Sequence, residues 1–325
     1  MNEITIKNQY FGMENEMTGI TRNVAATAIG KLFSTRPRAI GGYYDKWIVE
    51  DGDGKKWTIM SDASIRKEKQ MRDRYIATND NKYSVELVTP KLTYEEIPKL
   101  QEVLRALKKA GAKVNSSCGL HVHIDAANHN RQSLKNLLSV MYSKEDILFK
   151  ALRVDEARAE RWCQKVREPM LTKARKLSAV ETKNLTRLEN IWYEDFDGYG
   201  SRRDHYNASR YYALNLHSVF YRGTVEFRCF NATLHAGRAT AYLHLCLAMS
   251  AEAIRQRSAV MKKTKSDNEL FTFRVWLVRL GLNGEEFKKT RDHLLENLEG
   301  DRAWRYDKDR YESRKNKKQE KSKER

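Results

Sequence analysis

Cys118-Gly119-Leu120-His121-Val122-His123-Ile124-Asp125 changes character at every step. In an extended strand successive side chains point to opposite faces, so His121, His123 and Asp125 share one side. Leu120, Val122 and Ile124 take the other. Two imidazoles and a carboxylate backed by three aliphatics describe a strand with one face in a core and one lining a polar surface or a site. A His-x-His pair is often only the wet face of a strand, so its meaning depends on what surrounds it.

Working outward, the helix ahead of this strand is well marked. Thr93 and Glu96 have capping-box spacing, Ile97, Leu100, Leu104 and Leu107 form an apolar stripe, and Gly111 closes it. Further upstream, Tyr10–Met17 reads as a strand with Phe11, Met13 and Met17 on one face and Gly12, Glu14 and Glu16 on the other. Two carboxylates about 7 Å apart on one strand face repel unless a cation lies between them, and carboxylate oxygens suit Mg²⁺ or Mn²⁺. Asn23–Phe33 has helical character. Tyr43–Val49 and Lys56–Met60 flank Asp51-Gly52-Asp53-Gly54, a hairpin signature, with Asp62-Ala63-Ser64 following as either a site edge or an ordinary turn. Ile65–Lys82 reads as a charged surface loop. Tyr83–Pro90 is a strand with Glu86 opposite Tyr83, Val85 and Leu87.

Downstream, Ser133–Val154 reads as one broken helix or two. Val154–Glu194 is charged and helix-forming with a break at Pro169; its Arg158, Arg161, Trp162 and Cys163 either reach a site or, as the favoured reading, form a solvated helix face with a buried Trp/Cys side. Arg210–Ser218 reads as a strand with Asn215 and His217 on one side. Thr224–Asn231 is a strand with Val225, Phe227 and Cys229 facing one way and Glu226 and Arg228 the other. Helical stretches follow at Arg238–Val260, Asn268–Leu282 and Glu285–Leu298.

Composition narrows the classes. The chain has 325 residues, 40% of them hydrophobic, and a formal net charge of +18, so anionic partners are expected. Residues 301–325 carry a net of +5 and are read as a disordered basic tail, the only segment through which nucleic acid binding is expected. Cys118, Cys163, Cys229 and Cys246 have no paired spacing, which predicts buried thiols in a reduced, cytoplasmic protein. No window approaches the roughly 18 apolar residues of a membrane span, and the first residues lack a leader's apolar run. No GxxxxGK[ST], no GxGxxG between strand and helix and no HExxH is present, so P-loop, Rossmann and zincin mechanisms have no motif support.

Four strands thus present Glu14/Glu16, Glu86, His121/His123 and Glu226/Arg228 opposite an apolar face, which predicts one shared polar cleft. The order and wording of these motifs resemble the amidoligase family of glutamine synthetase-like carboxylate–amine ligases, more distantly the glutamate–cysteine ligases. The resemblance rests on Phe11-Gly12-x-Glu14-x-Glu16, Asp62-x-Ser64, Glu86–Pro90, Cys118–His123 and Thr224–Thr233, and covers roughly Tyr10 to Met249. It implies an α+β fold, a glutamine synthetase-like catalytic domain with a mostly antiparallel curved sheet and helices packed on one side. That domain would span 1–300, with a helical insertion at about 154–195. It further implies ATP and Mg²⁺ (or Mn²⁺) as cofactors. Glu14, Glu16, Glu86, His121 and Glu226 would ligate metal, His123 would sit near nucleotide phosphate, and Arg228 would contact the transferred phosphoryl group. Asn215 and Arg210 are site residues by position only. The implied reaction joins a small-molecule or peptide carboxylate to an amine through an acyl phosphate. Two other readings stay open on the residues alone: a hydrolase with Zn²⁺ on His121 and His123, and a nucleic-acid-binding protein.

Overall fold

The alternation at the two glutamates, the His-x-His pair and Glu226/Arg228 is realised as three adjacent strands at the centre of one sheet. The computed structural model describes residues 3–178, 184–196 and 201–305. Its strands are β1 (Phe11–Met17), β2 (Arg38–Gly41), β3 (Lys46–Glu50), β4 (Lys56–Met60), β5 (Glu68–Met71), β6 (Arg74–Ala77), β7 (Val85–Val88), β8 (Gly119–Asp125), β9 (Leu214–Asn215) and β10 (Thr224–Asn231). Its helices are α1 (Arg22–Phe33), α2 (Ile97–Lys109), α3 (Arg131–Leu152), α4 (Glu156–Arg161), α5 (Glu168–Lys176), α6 (Thr186–Tyr193), α7 (His217–Arg222), α8 (Ala236–Arg255), α9 (Glu269–Arg279) and α10 (Lys288–Leu295). Eight strands form a sheet in the order β2-β3-β4-β7-β1-β8-β10-β9, with every strand pair antiparallel. The result is a mixed α/β fold built on a mostly antiparallel sheet, as the sequence predicts.

One face of this sheet is apolar throughout. Met13, Met17, Trp57, Ile59, Val85, Leu87, Leu120, Val122, Ile124, Val225 and Phe227 are all buried there, against a helical layer in which α1 meets β3 and β4 while α3 and α8 meet β10 and β8. Alternation then forces the intervening residues onto the opposite face, which is how the polar side chains come together. Asn15 is the exception on β1: it points into the core with Met13 and Met17, and its Nδ2 donates to Thr233 O at 3.2 Å.

Several local expectations are corrected. Ile65–Lys82 is not a bare loop but carries the β5–β6 hairpin, whose four-residue strands are too short and charged to show an alternation. Helix α3 is a single 22-residue helix. Its polar residues suggested a break but are satisfied inside the protein: Ser143 Oγ donates to Lys262 O at 2.7 Å, and Glu145 accepts from Lys263 Nζ at 2.7 Å and Val166 N at 2.9 Å. Pro169 starts α5 instead of breaking a helix, since its missing N–H costs nothing in a first turn. In Arg210–Ser218 only Leu214–Asn215 is strand, and His217 opens α7. The greater part of the basic tail, residues 306–325, lies outside the described residues. Among those described, no helix is long and apolar enough to cross a membrane.

The β3–β4 hairpin is locked by Asp51. Its buried carboxylate accepts from Trp57 Nε1 at 3.1 Å, Lys99 Nζ at 3.0 Å and the backbone N–H groups of Asp53 and Lys55 at 3.0 Å. Burial acts against its charge, but Trp57, Lys99 and the two amides outweigh it and hold the carboxyl below the ordinary aspartate value. A lowered carboxyl adds stability above the ordinary aspartate range and loses it as pH falls through its own. Asp51→Asn is therefore expected to cost about 1–3 kcal/mol in urea denaturation at neutral pH. That difference should shrink on acidification, and equal stability at neutral pH would contradict the assignment.

Candidate functional site

Strand register assembles the site. Glu14 of β1 pairs with His121 of β8 on one side, and Glu16 pairs with Glu86 of β7 on the other. On the far side of β8, Glu226 of β10 pairs with His123 and, across its other edge, with Asn215 of β9. A bulge between Phe227 and Phe230 lets β10 gain a residue on β8, so that Arg228 is placed beside the Glu14–His121 pair. All eight of these side chains (Glu14, Glu16, Glu86, His121, His123, Asn215, Glu226, Arg228) therefore lie on one face of one sheet.

They divide into two groups. In the first, Glu14, His123 and Glu226 bring one oxygen or nitrogen each to within 4.8 Å of one another. Asn215 Nδ2 donates to Glu226 Oε2 at 2.7 Å, and Arg228 Nη1 donates to Glu226 Oε1. Burial penalises the Glu226 charge, but Arg228 and the two histidines prevail and bring its carboxyl down to about 2. Glu14 is likewise held low by His123 and His121 against burial, while Glu14 and Glu226 raise His123 against its own burial. His121 goes the other way, to about 4, because burial and Arg228 both disfavour its cation. A neutral His121 ring protonated at Nδ1 donates to Glu14 Oε2 at 3.1 Å.

The second group is Glu16, Asp62 and Glu86, again with one oxygen each within 4.8 Å. Here no histidine compensates. Glu16 Oε2 accepts the Gly119 N–H at 2.7 Å, yet burial and the Asp62 charge push its carboxyl up to about 8. Burial and the charges of Glu14, Glu16 and Asp62 raise Glu86 well above the ordinary range. Three acidic groups packed this way want a cation among them.

The donor set fits divalent metal in both groups. His123 Nε2 is buried and, among the described residues, has no hydrogen-bond partner, its nearest carboxylate oxygen being Glu14 Oε1 at 3.4 Å; a cavity of about 10 Å³ lies among Glu14, His123, Asn215 and Glu226. The other nitrogen of that ring, Nδ1, is 3.1 Å from Thr224 Oγ1, a contact that fixes the ring. Both histidines lie against the same two carboxylates: His121 Nδ1 is 3.1 Å from Glu14 and 3.6 Å from Glu226, and His123 Nε2 is 3.4 Å and 3.9 Å from them. A cleft of about 460 Å³ opens beside the first group, with Tyr10, Thr89, Lys91, Asp125, Arg222 and Thr224 in its walls. Asp125 forms an ion pair with Lys91 at this mouth and contacts neither metal-type group. Arg210 lines the small cavity, its Nη1 donating to His205 O at 3.1 Å.

Three contributors escaped the sequence reading. Asp62 was balanced against an ordinary turn, and only the proximity of Glu16 and Glu86 decides it. Thr224 reads as a strand's first residue until His123 is seen beside it. Arg158, read as part of a solvated helix face, is buried at 6% exposure. Cys118, at the start of β8, is a buried thiol that burial pushes up to about 11, in keeping with a packing residue.

Glu16 sets a measurable pH dependence in chelator-treated protein. Its folded carboxyl stays protonated at pH values where the unfolded chain has ionised, so unfolding releases a proton and stability falls as pH rises toward about 8. Glu16→Gln is expected to flatten this decline, read from urea midpoints across that range. An unchanged slope would contradict a buried Glu16 carboxyl held protonated in the fold.

The family comparison agrees with the geometry. A search of curated proteins found no match to the chain. Among solved structures, a bifunctional glutathione synthetase from Pasteurella multocida is similar over 90% of this chain and 47% of its own, at 12% identity and a TM-score of 0.34. The chain thus spans about half the length of that enzyme, and a likeness this slight carries no argument. A family model described as "Putative amidoligase enzyme" matches residues 7–250, a span containing both acidic groups, both histidines and Arg228. The chain belongs to the amidoligase family.

Proposed function

We propose that this protein is an ATP- and Mg²⁺- (or Mn²⁺-) dependent carboxylate–amine ligase that makes an amide bond through an acyl phosphate. The observation that carries the reading is the pair of adjacent groups, Glu14/His123/Glu226 and Glu16/Asp62/Glu86, on one sheet face with Arg228 beside them. Two cation sites flanking a guanidinium suit the transfer of a phosphoryl group whose negative charge is spread over three oxygens, and the family membership points to amide formation.

The residues divide the work as follows. Glu14, His123 and Glu226 would hold one divalent ion and Glu16, Asp62 and Glu86 a second. Bound there, the ions supply charge neutralisation at the phosphoryl oxygens. Asn215 and Arg228 fix the Glu226 carboxylate from two directions, and Thr224 fixes the His123 ring. Arg228 presents a guanidinium to the transferred group, and His121, kept neutral, satisfies Glu14 without adding charge. The 460 Å³ cleft is of a size to take the nucleotide, with Lys91 and Arg222 as cations in its wall. In the reaction, the γ-phosphorus bonds to a carboxylate oxygen as its bond to ADP breaks. The amine nitrogen then attacks the acyl carbon, phosphate leaves with the carbon–oxygen bond, and the nitrogen loses a proton. The carboxylate and amine are expected from amino acids or peptides, and a cytoplasmic setting supplies the ATP.

The test is ADP release with Mg²⁺ across a library of amino acids and peptides, with mass detection of a product lighter by one water than its two substrates. Glu14→Ala and Glu226→Ala should each lower turnover by about 10³-fold or more with far-ultraviolet dichroism unchanged. Arg228→Lys should lower it by roughly 10²-fold, because an ammonium lacks the planar fork. Full activity in either glutamate variant would refute the site. Amide or phosphoester cleavage without nucleotide would mark a hydrolase instead.

A further inference from the structure

Arg158 has no part in the reading above, yet its side chain ends inside the site. It sits in α4, whose first turn is capped by Asp155, and reaches across to the end of β10. One nitrogen is committed: Nη1 donates to Phe230 O at 3.0 Å and Asn231 Oδ1 at 2.9 Å. Nε and Nη2 donate to no group among the described residues, although the side chain is more than nine-tenths buried.

Gly119 shows where the free nitrogen points. A Cβ built on Gly119 would lie 2.6 Å from Arg158 Nη2 and 3.2 Å from His121 Nε2. The guanidinium therefore occupies the space a side chain would need, and the same residue's N–H is bonded to Glu16. Arg158 thus lies where the two acidic groups adjoin, between His121, which contacts Glu14, and Glu16. A purely structural tie needs only Nη1. The remaining edge, Nε and Nη2 of a residue 6% exposed, is a pre-set pair of donors, the geometry that recognises a phosphate-type oxyanion.

We propose that Arg158 is a second arginine for the transferred phosphoryl group, holding it with Arg228 at the junction of the two acidic groups. The identity of the anion rests on the ligase reading; the presence of an oxyanion site does not. Segment 154–195 then contributes directly to the chemistry of the sheet, through one residue.

The probe is inorganic phosphate, titrated calorimetrically into the full-length protein loaded with Mn²⁺, with ADP titrated separately. Arg158→Gln is expected to weaken phosphate at least tenfold while Mn²⁺ and ADP affinities stay within twofold. Arg158→Lys should recover part of the loss. If Arg158→Gln does not fold, Gly119→Ala asks the same question by displacing the fork, with the same loss expected. Phosphate affinity within twofold of wild type in whichever of these two variants folds would overturn the proposal, as would wild-type protein that binds no phosphate. Wild-type protein that binds phosphate through Arg158 but takes up no ADP would sink the ligase reading and leave the oxyanion site standing.

Discussion

Like charges a few ångströms apart in a desolvated setting repel strongly, and five carboxylates share the polar face of this sheet. The protein meets that constraint in two ways. Around Glu14 and Glu226 it supplies its own cations and dipoles: Arg228, His123, and the amide of Asn215. Around Glu16, Asp62 and Glu86 the N–H groups of Gly119 and Ser64, the Ser64 hydroxyl and the charges of Arg158 and Arg228 compensate the acidity only in part. Neighbouring groups thus favour the charged forms of Glu14 and Glu226, whereas burial and crowding favour the protonated forms of Glu16 and Glu86. Everything else about the fold, from the apolar helical layer to the antiparallel register, serves to keep these groups facing one another.

The sheet was legible because its central strands each alternate cleanly, and alternation fixes faces without reference to neighbours. Glu14, Glu16, Glu86, His121, His123, Glu226 and Arg228 could all be placed on a polar face for that reason. What alternation does not carry is register and distance. It could not say that Glu16 meets Glu86 and Asp62, or how closely the two histidines approach Glu14 and Glu226, since strand register decides both. Short elements were lost too. The β5–β6 strands have four residues each, and the Leu214–Asn215 strand turns into helix at His217 before a period can show.

Burial of polar residues was the other blind spot. Ser143 and Glu145 made α3 look interrupted because a charged or hydroxyl side chain reads as solvent-facing in a sequence. Both are inside, with partners more than a hundred residues away for Ser143 and, through Lys263, for Glu145. Arg158 was misjudged in the same way. A buried polar group is recognisable only from its partner, and its partner is set by tertiary structure.

The site's strand pairing has a consequence for how the chain acquires it. Glu14 and His121 are 107 residues apart, Gly119 and Glu16 103, and His123 and Thr224 101. No local segment holds even one complete group of ligands. Each such contact carries the entropy of closing a long loop, a cost that in general slows the folding of non-local arrangements. A ribosome-bound chain that has not yet emitted β10 lacks Glu226 and Arg228. It therefore exposes the edge of β8 with the acidic groups half-built, the stage at which the nascent protein is most open to mispairing.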